Sequence, residues 1–265
     1  MVSAFVMTLA ARLHDIRLAI EKARQNSPLA GVKTTLLGAS KGQTAALIEE
    51  AIALGITDFG ENRVQEAEGK WPALKEKYPH IRLHLIGSLQ TNKAKDALGL
   101  FDVIQTVDRE KLALALARIR DESAAARTSP ACPPKLEERR WEPRPMKFSG
   151  ENFGGKRMFI QINTGEEPQK AGIIPAEADE FIRFCIHDLK LPVVGLMCVP
   201  PADQPPAPHF ALLRNIALTH DLKELSMGMS GDYEVAARMG STCVRVGTAL
   251  FGERDKPRHA LAVPS

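Results

Sequence analysis

The chain has 265 residues, 44% of them hydrophobic and 25% charged, and its 35 Lys+Arg against 32 Asp+Glu leave a formal charge of +3. That is an ordinary globular composition, with room for one large domain or two small ones, and α/β barrels fill this size as a single unit. No run of eighteen apolar residues occurs, which excludes a membrane-spanning helix, and without a long run of one charge the chain does not read as a nucleic-acid binder built on a basic stripe.

The apolar opening Met1–Ala11 lacks a basic leader region, and Arg12, Asp15 and Arg17 follow at helical spacing, so it reads as the lead into a first helix. Short β-rich runs then alternate with helical segments. The expected strands are Thr34–Leu37, Ile56–Phe59, Arg82–Ile86, Asp102–Thr106, Met158–Asn163, Val193–Met197, Glu224–Met227 and Cys243–Val246. Amphipathic segments such as Thr44–Leu54 and Ala176–Leu189 lie between them. Strand followed by helix, repeated, means a parallel sheet covered by helices. Eight such units predict a single (β/α)8 barrel over residues 1–265 with an interior of Val, Ile and Leu; a doubly wound open sheet is the competing arrangement.

One interval breaks the rhythm. Between Asp102 and Met158 the helix Arg109–Arg120 uses only part of the gap, and residues 121–156 hold five of the eighteen prolines, the Gly154-Gly155 pair and a mixed-charge cluster. Such a stretch predicts an inserted loop between the fourth helix and the fifth strand, hanging from the N-terminal face of the barrel, away from the chemistry. The four cysteines, Cys132, Cys185, Cys198 and Cys243, form no CxxC pair. Neither a disulfide framework nor a zinc site is expected, and a reducing cytoplasm is the default.

Lys41 stands where the first strand ends, at the rim where barrel enzymes place reactive groups. Partial desolvation there favours a neutral amine able to attack an aldehyde, although a lysine after a strand is by itself usually just solvated. At the end of the seventh strand stands Ser226-Met227-Gly228-Met229-Ser230-Gly231-Asp232 and then the helix Tyr233–Met239; after the eighth comes Val246-Gly247-Thr248-Ala249. Small residues, hydroxyls and a helix start make an anion seat, and phosphate sites recur after strands 7 and 8 of this fold. A closed barrel sets strand 8 beside strand 1 and so brings that seat to Lys41. Within Cys243–Gly247, alternation puts Arg245 and Gly247 on one face. An arginine facing a barrel interior needs a partner, either a ligand acceptor such as a pyridine nitrogen or a barrel carboxylate.

Seven blocks in order carry a resemblance: Gly38-Ala39-Ser40-Lys41; Phe59-Gly60-Glu61-Asn62; His84-Leu85-Ile86-Gly87 with Gln90-Thr91-Asn92-Lys93; Gln161-Ile162-Asn163; Gly195-Leu196-Met197; Met227-Gly228-Met229-Ser230; and Val244-Arg245-Val246-Gly247-Thr248 with Phe251-Gly252. From about Leu9 to Arg254 the chain resembles the pyridoxal phosphate homeostasis protein family, whose barrel is similar to the N-terminal domain of alanine racemase. Nothing carries over to residues 121–156. The resemblance implies that Lys41 forms an aldimine with pyridoxal 5′-phosphate, that Ser230, Gly247 and Thr248 hold the phosphate, and that Arg245 faces the pyridine nitrogen. An arginine there keeps the nitrogen unprotonated and weakens the ring as an electron sink. Asn62 and His84 are expected in the mouth near the ring, with a satisfied core histidine the alternative for His84 and a structural role for Glu61.

Three functions compete. The first is a protein that stores or delivers pyridoxal phosphate to apo-enzymes as a cytoplasmic monomer, with no turnover. The second is a racemase-like or decarboxylase enzyme, which needs an acid/base opposite the lysine; Tyr233 is the residue that keeps this reading open. The third is a phosphosugar barrel, against which Arg245 and the ordered blocks count.

Overall fold

The computed structural model of the chain describes residues 7–27, 29, 31–128 and 153–253. Eight parallel strands close in sequence order: β1 (Thr35–Ala39), β2 (Asp58–Glu61), β3 (Arg82–Leu85), β4 (Val103–Val107), β5 (Arg157–Ile162), β6 (Val193–Cys198), β7 (Glu224–Ser226) and β8 (Cys243–Val246). β8 pairs with β1 in the register Leu37↔Arg245 and Gly38↔Val246, which completes the barrel and excludes the open sheet. All eight strands fall within three residues of their expected positions.

The helices are α1 (Leu9–Gln25), α2 (Ala45–Ala53), α3 (Val64–Glu68), α4 (Trp71–Lys77), α5 (Ala94–Leu100), α6 (Glu110–Thr128), α7 (Pro175–Arg183), α8 (Pro206–Thr219), α9 (Tyr233–Arg238) and α10 (Thr248–Phe251). Threonine hydroxyls start two of them: Thr8 accepts from Ala11 N at α1 and Thr44 from Leu47 N at α2. α1 precedes the barrel and is tied to its last turn, because Arg12 Nε donates to the Leu250 carbonyl at 2.6 Å.

The interior departs from the expected layers of branched aliphatics. Ile48, Leu83, Leu85, Ile104, Leu196 and Val244 belong to one large core between strands and helices. Inside the barrel the apolar cluster is small, Val103 with Phe159 and Met197. Asp58, His84, Gln105, Ser226 and Arg245 are all buried, each bonded to the next across the interior. Polar groups are tolerated there because they satisfy one another.

The expected insertion also changes at its edges. α6 runs on to Thr128, eight residues past its expected end, and Phe153 is buried under the Arg120 guanidinium, 5.4 Å from the ring centroid. Residues 129–152 lie outside the described residues. Both flanks lie at the N-terminal end of β5, the face on which the loop was expected to hang. Among the described residues no helix is long and apolar enough to cross a membrane, Cys185, Cys198 and Cys243 are free thiols, and no group of His, Cys, Asp and Glu could hold a metal.

Candidate functional site

Lys41 sits half-buried two residues past β1, in a turn braced from below and from the side. Ser40 N donates to the Gly60 carbonyl at 2.9 Å, and Ser40 Oγ donates to Glu61 Oε1 at 2.6 Å. The fully buried Glu61 also receives Trp71 Nε1 at 3.0 Å and the Lys70 ammonium at 2.7 Å. Lys70 Nζ reaches back to the Ser40 carbonyl at 3.2 Å, and Glu66 Oε1 accepts Gly42 N at 2.6 Å. Glu61 is thus the structural partner expected, an anchor for the residues on which Lys41 rides. Sequence reasoning missed Glu66 and Lys70, because only the fold brings them against the Ser40–Gly42 turn.

Across the seam stands the β7–β8 end. Gly228 makes the turn after β7 with φ +95°, a backbone conformation that costs an L side chain, and a Cβ there would lie 2.4 Å from Ala236 Cβ. Ser230 follows, and its Oγ accepts from Gly247 N and Ala249 N, both at 3.3 Å. One hydroxyl therefore gathers two backbone donors of the β8 turn through long bonds, an arrangement in which an anion oxygen can compete for the same N–H groups. The start of α9 differs from the expected anion seat: Asp232 lies immediately before it and its Oδ1 accepts Met229 N at 2.6 Å, so a carboxylate already takes a donor there.

These two halves meet. Lys41, Asn62, Gly247 and Thr248 line one cavity of about 130 Å³, with Gln43 and Gly252 at its edge. Lys41 and Asn62 also line a larger cleft of about 850 Å³ that runs past Glu66, Ser88, Gln90 and Lys93. A primary amine, a hydroxyl and backbone N–H groups at one barrel mouth can hold a ligand that carries both a carbonyl and an anionic tail.

Arg245 faces the interior as alternation required and is buried. Its partners are neither of those expected. Nη1 donates to Ser226 Oγ at 2.7 Å and Nη2 to the Cys198 carbonyl at 2.8 Å; Cys198 ends β6 on the mouth side, whereas Ser226 is in register with Cys243, the first residue of β8. No carboxylate pairs with it among the described residues. Burial pushes its pKa below the usual arginine value.

His84 is not in the mouth. It lines a separate cavity of about 270 Å³ at the N-terminal end, with Thr35, Asp58, Arg82, Arg157 and Glu224. Its Nε2 lies 3.0 Å from Asp58 Oδ1 and its Nδ1 3.0 Å from Gln105 Nε2, so both ring nitrogens are satisfied. The reason is register. The inward position nearest the mouth on this segment belongs to Ile86, whose Cδ1 lies 2.8 Å from where a Gly60 Cβ would stand. Tyr233 is half-buried, its pKa raised by burial and by the charges of Glu234 and of Asp15 on α1; it lines neither cavity that Lys41 lines.

The alanine racemase N-terminal domain model matches residues 7–255. The pyridoxal phosphate homeostasis protein of Aquifex aeolicus is 34% identical over 261 residues, spanning 94% of this chain and 99% of that one. The chain belongs to the pyridoxal phosphate homeostasis protein family. The Escherichia coli K12 member is 33% identical over 256 residues, 93% of this chain and 97% of that one. The structure of PipY from Synechococcus elongatus with pyridoxal phosphate bound superposes with a TM-score of 0.68 at 32% identity, over 92% of this chain and all of that one. Alanine racemase of Acinetobacter baumannii, 13% identical with a TM-score of 0.62 over 93% of this chain and 61% of that one, shares the fold.

Proposed function

We propose that this chain binds pyridoxal 5′-phosphate and serves in its intracellular homeostasis, holding the cofactor for delivery to apo-enzymes and turning over no substrate of its own. The carrying observation is that Lys41, Asn62, Gly247 and Thr248 line a common cavity. In this reading the Lys41 amine condenses with the cofactor aldehyde, forming C=N as water leaves. Ser230, Gly247 and Thr248 take the phosphate through the donors that the Ser230 hydroxyl now gathers, and Arg245 turns toward the pyridine nitrogen. Asn62 closes the mouth beside Lys41. His84 is left out of the contact set.

Relatives that share the family name, and the PipY structure with its cofactor, support binding. The absence of turnover is supported by a different observation: Tyr233, the residue on which racemase-like chemistry would depend, is half-buried against the charges of Glu234 on α9 and Asp15 on α1. The barrel works in this reading as one unit over residues 1–265, a monomer in a reducing cytoplasm, with the insertion between α6 and β5 apart from the site. Racemisation of amino acids by the cofactor-loaded protein is the discriminating assay. No turnover above free pyridoxal phosphate is expected, and robust turnover that disappears in Tyr233→Phe would establish the racemase-like reading instead.

A further inference from the structure

Gln105, in the middle of β4, is a fully buried amide that the Lys41 cavities do not touch. It is the centre of a hydrogen-bonded line across the barrel. Arg245 Nη1 donates to Ser226 Oγ at 2.7 Å; Ser226 Oγ donates to Gln105 Oε1 at 2.6 Å; Gln105 Nε2 lies 3.0 Å from His84 Nδ1; and His84 Nε2 lies 3.0 Å from Asp58 Oδ1. Asp58 opens β2 and lines the N-terminal cavity with His84, while Ser226 is in register with Cys243, two residues before Arg245 on β8. The line therefore crosses the barrel interior from its N-terminal layer to Arg245.

The direction of every bond is fixed by its ends. A guanidinium only donates, so the Ser226 hydrogen must go onward to the Gln105 carbonyl. The Gln105 amide then donates to His84 Nδ1, which leaves the single imidazole proton on Nε2, facing the Asp58 carboxylate. Turning the amide over would require protons on both ring nitrogens, an imidazolium in a site where burial disfavours the charged ring. Donors thus point in one sense from cation to anion, the arrangement in which successive bonds polarise one another. Among the described residues no carboxylate forms an ion pair with Arg245, although the charge of Asp232 favours its cationic form, and a buried cation without a paired anion is costly. Asp58 is the carboxylate at the far end of the line, held by Thr57 Oγ1 at 2.7 Å and ion-paired with Arg82 Nε at 2.9 Å.

We propose that Asp58, His84, Gln105 and Ser226 form a relay that orients Arg245 and sets the field at the edge Arg245 turns to the mouth, so that Asp58 and Gln105 are positioning residues for the cofactor ring that neither touches. The role toward the ring rests on the pyridoxal phosphate reading above; the coupling along the line does not.

Two measurements separate these. In the protein without cofactor, nitrogen NMR of the His84 ring should show the Nε2–H tautomer, and Arg245→Met, three hydrogen bonds away, should shift both ring nitrogens. Unmoved His84 resonances in a folded Arg245→Met protein overturn the relay. In the loaded protein, Asp58→Asn keeps an acceptor for His84 but removes the charge. It should displace the visible absorption maximum and weaken cofactor binding roughly 3- to 30-fold, and the same change made in Gln105→Met should add nothing further.

An unaltered spectrum and affinity in folded Asp58→Asn overturn the positioning role. His84→Gln, whose amide can both accept and donate, should restore what His84→Leu loses; equal loss in both argues for packing alone and also overturns it. Coupling in the cofactor-free protein with no binding of pyridoxal phosphate by the wild type would sink the cofactor reading, and with it the ring role, and leave the relay as the device that seats Arg245.

Discussion

Gly247 lies against Ala39 across the seam that closes the barrel: a Cβ built on Gly247 would meet the Ala39 carbonyl oxygen at 3.4 Å and its Cβ at 3.5 Å. That contact carries the turn after β8 to within two residues of Lys41. It also leaves space for one small group and no more, since the cavity both residues line is about 130 Å³. Gly247→Ala should fold normally and bind pyridoxal phosphate less tightly, whereas Gly247→Val should fold and lose most binding. Circular dichroism with equilibrium titration checks both.

Ser230→Ala strips the acceptor from Gly247 N and Ala249 N. Two half-buried donors without a partner should cost about 1 kcal/mol in chemical denaturation. Affinity for the cofactor should fall on the order of tenfold, because one of three phosphate-side groups is gone.

Acid should weaken the fold in two stages. Burial holds the His84 pKa below its ordinary 6.5, so the unfolded chain takes up a proton first as pH falls, and the stability that His84 contributes is present above 6.5 and lost below it. For Asp58, burial alone would raise the pKa, but the hydrogen bonds from His84 and Thr57 and the charges of His84 and Arg82 outweigh it and hold the carboxyl at about 2 against an ordinary 3.8. Its contribution, about 2 kcal/mol, is therefore present above pH 3.8 and lost between there and pH 2. Denaturation midpoints measured against pH should show both losses, and Asp58→Asn should abolish the lower one.

Glu61→Ala leaves Lys70 without its buried partner and removes the acceptor of Ser40 Oγ and Trp71 Nε1. Destabilisation of about 3 kcal/mol or more is expected, read by thermal or urea unfolding. Lys41→Ala, by contrast, should fold as the wild type does, because the lysine stands at a half-buried rim.

Replacing residues 129–152 by a short Gly/Ser linker should leave cofactor affinity unchanged, since the flanks at Thr128 and Phe153 lie at the N-terminal end of the barrel, opposite Lys41. A cut that also takes Phe153 should lower stability, because that ring is buried beneath Arg120. Titration and melting of the two deletions distinguish these effects.

The barrel was legible because its signals are local: Met158–Ile162 is a short apolar β-rich run, Cys243–Val246 alternates as strands do, and glycines lie near their ends. The meeting of Lys41 with Gly247 and Thr248 was legible for a topological reason, since closure of eight strands forces the ends of β8 and β1 together. His84 was misplaced because strand alternation gives a face and not a depth. Facing inward is equally true of the mouth and of the layer beneath it, and only the contacts with Asp58 and Gln105 distinguish the two. Gln105 left no signal in a linear reading and Ser226 read only as part of the anion seat, because the interior role of each comes from a partner more than twenty residues away in another strand. The extra turns of α6 were hidden by the proline-rich segment that follows them.

Reduction of the pyridoxal phosphate-loaded protein with borohydride, followed by peptide mass spectrometry, tests the Lys41 assignment most directly. One phosphopyridoxyl group per chain, on Lys41, with loss of the visible band, is the expected result. A stoichiometric adduct on any other lysine, or no adduct in a folded protein saturated with the cofactor, would contradict it.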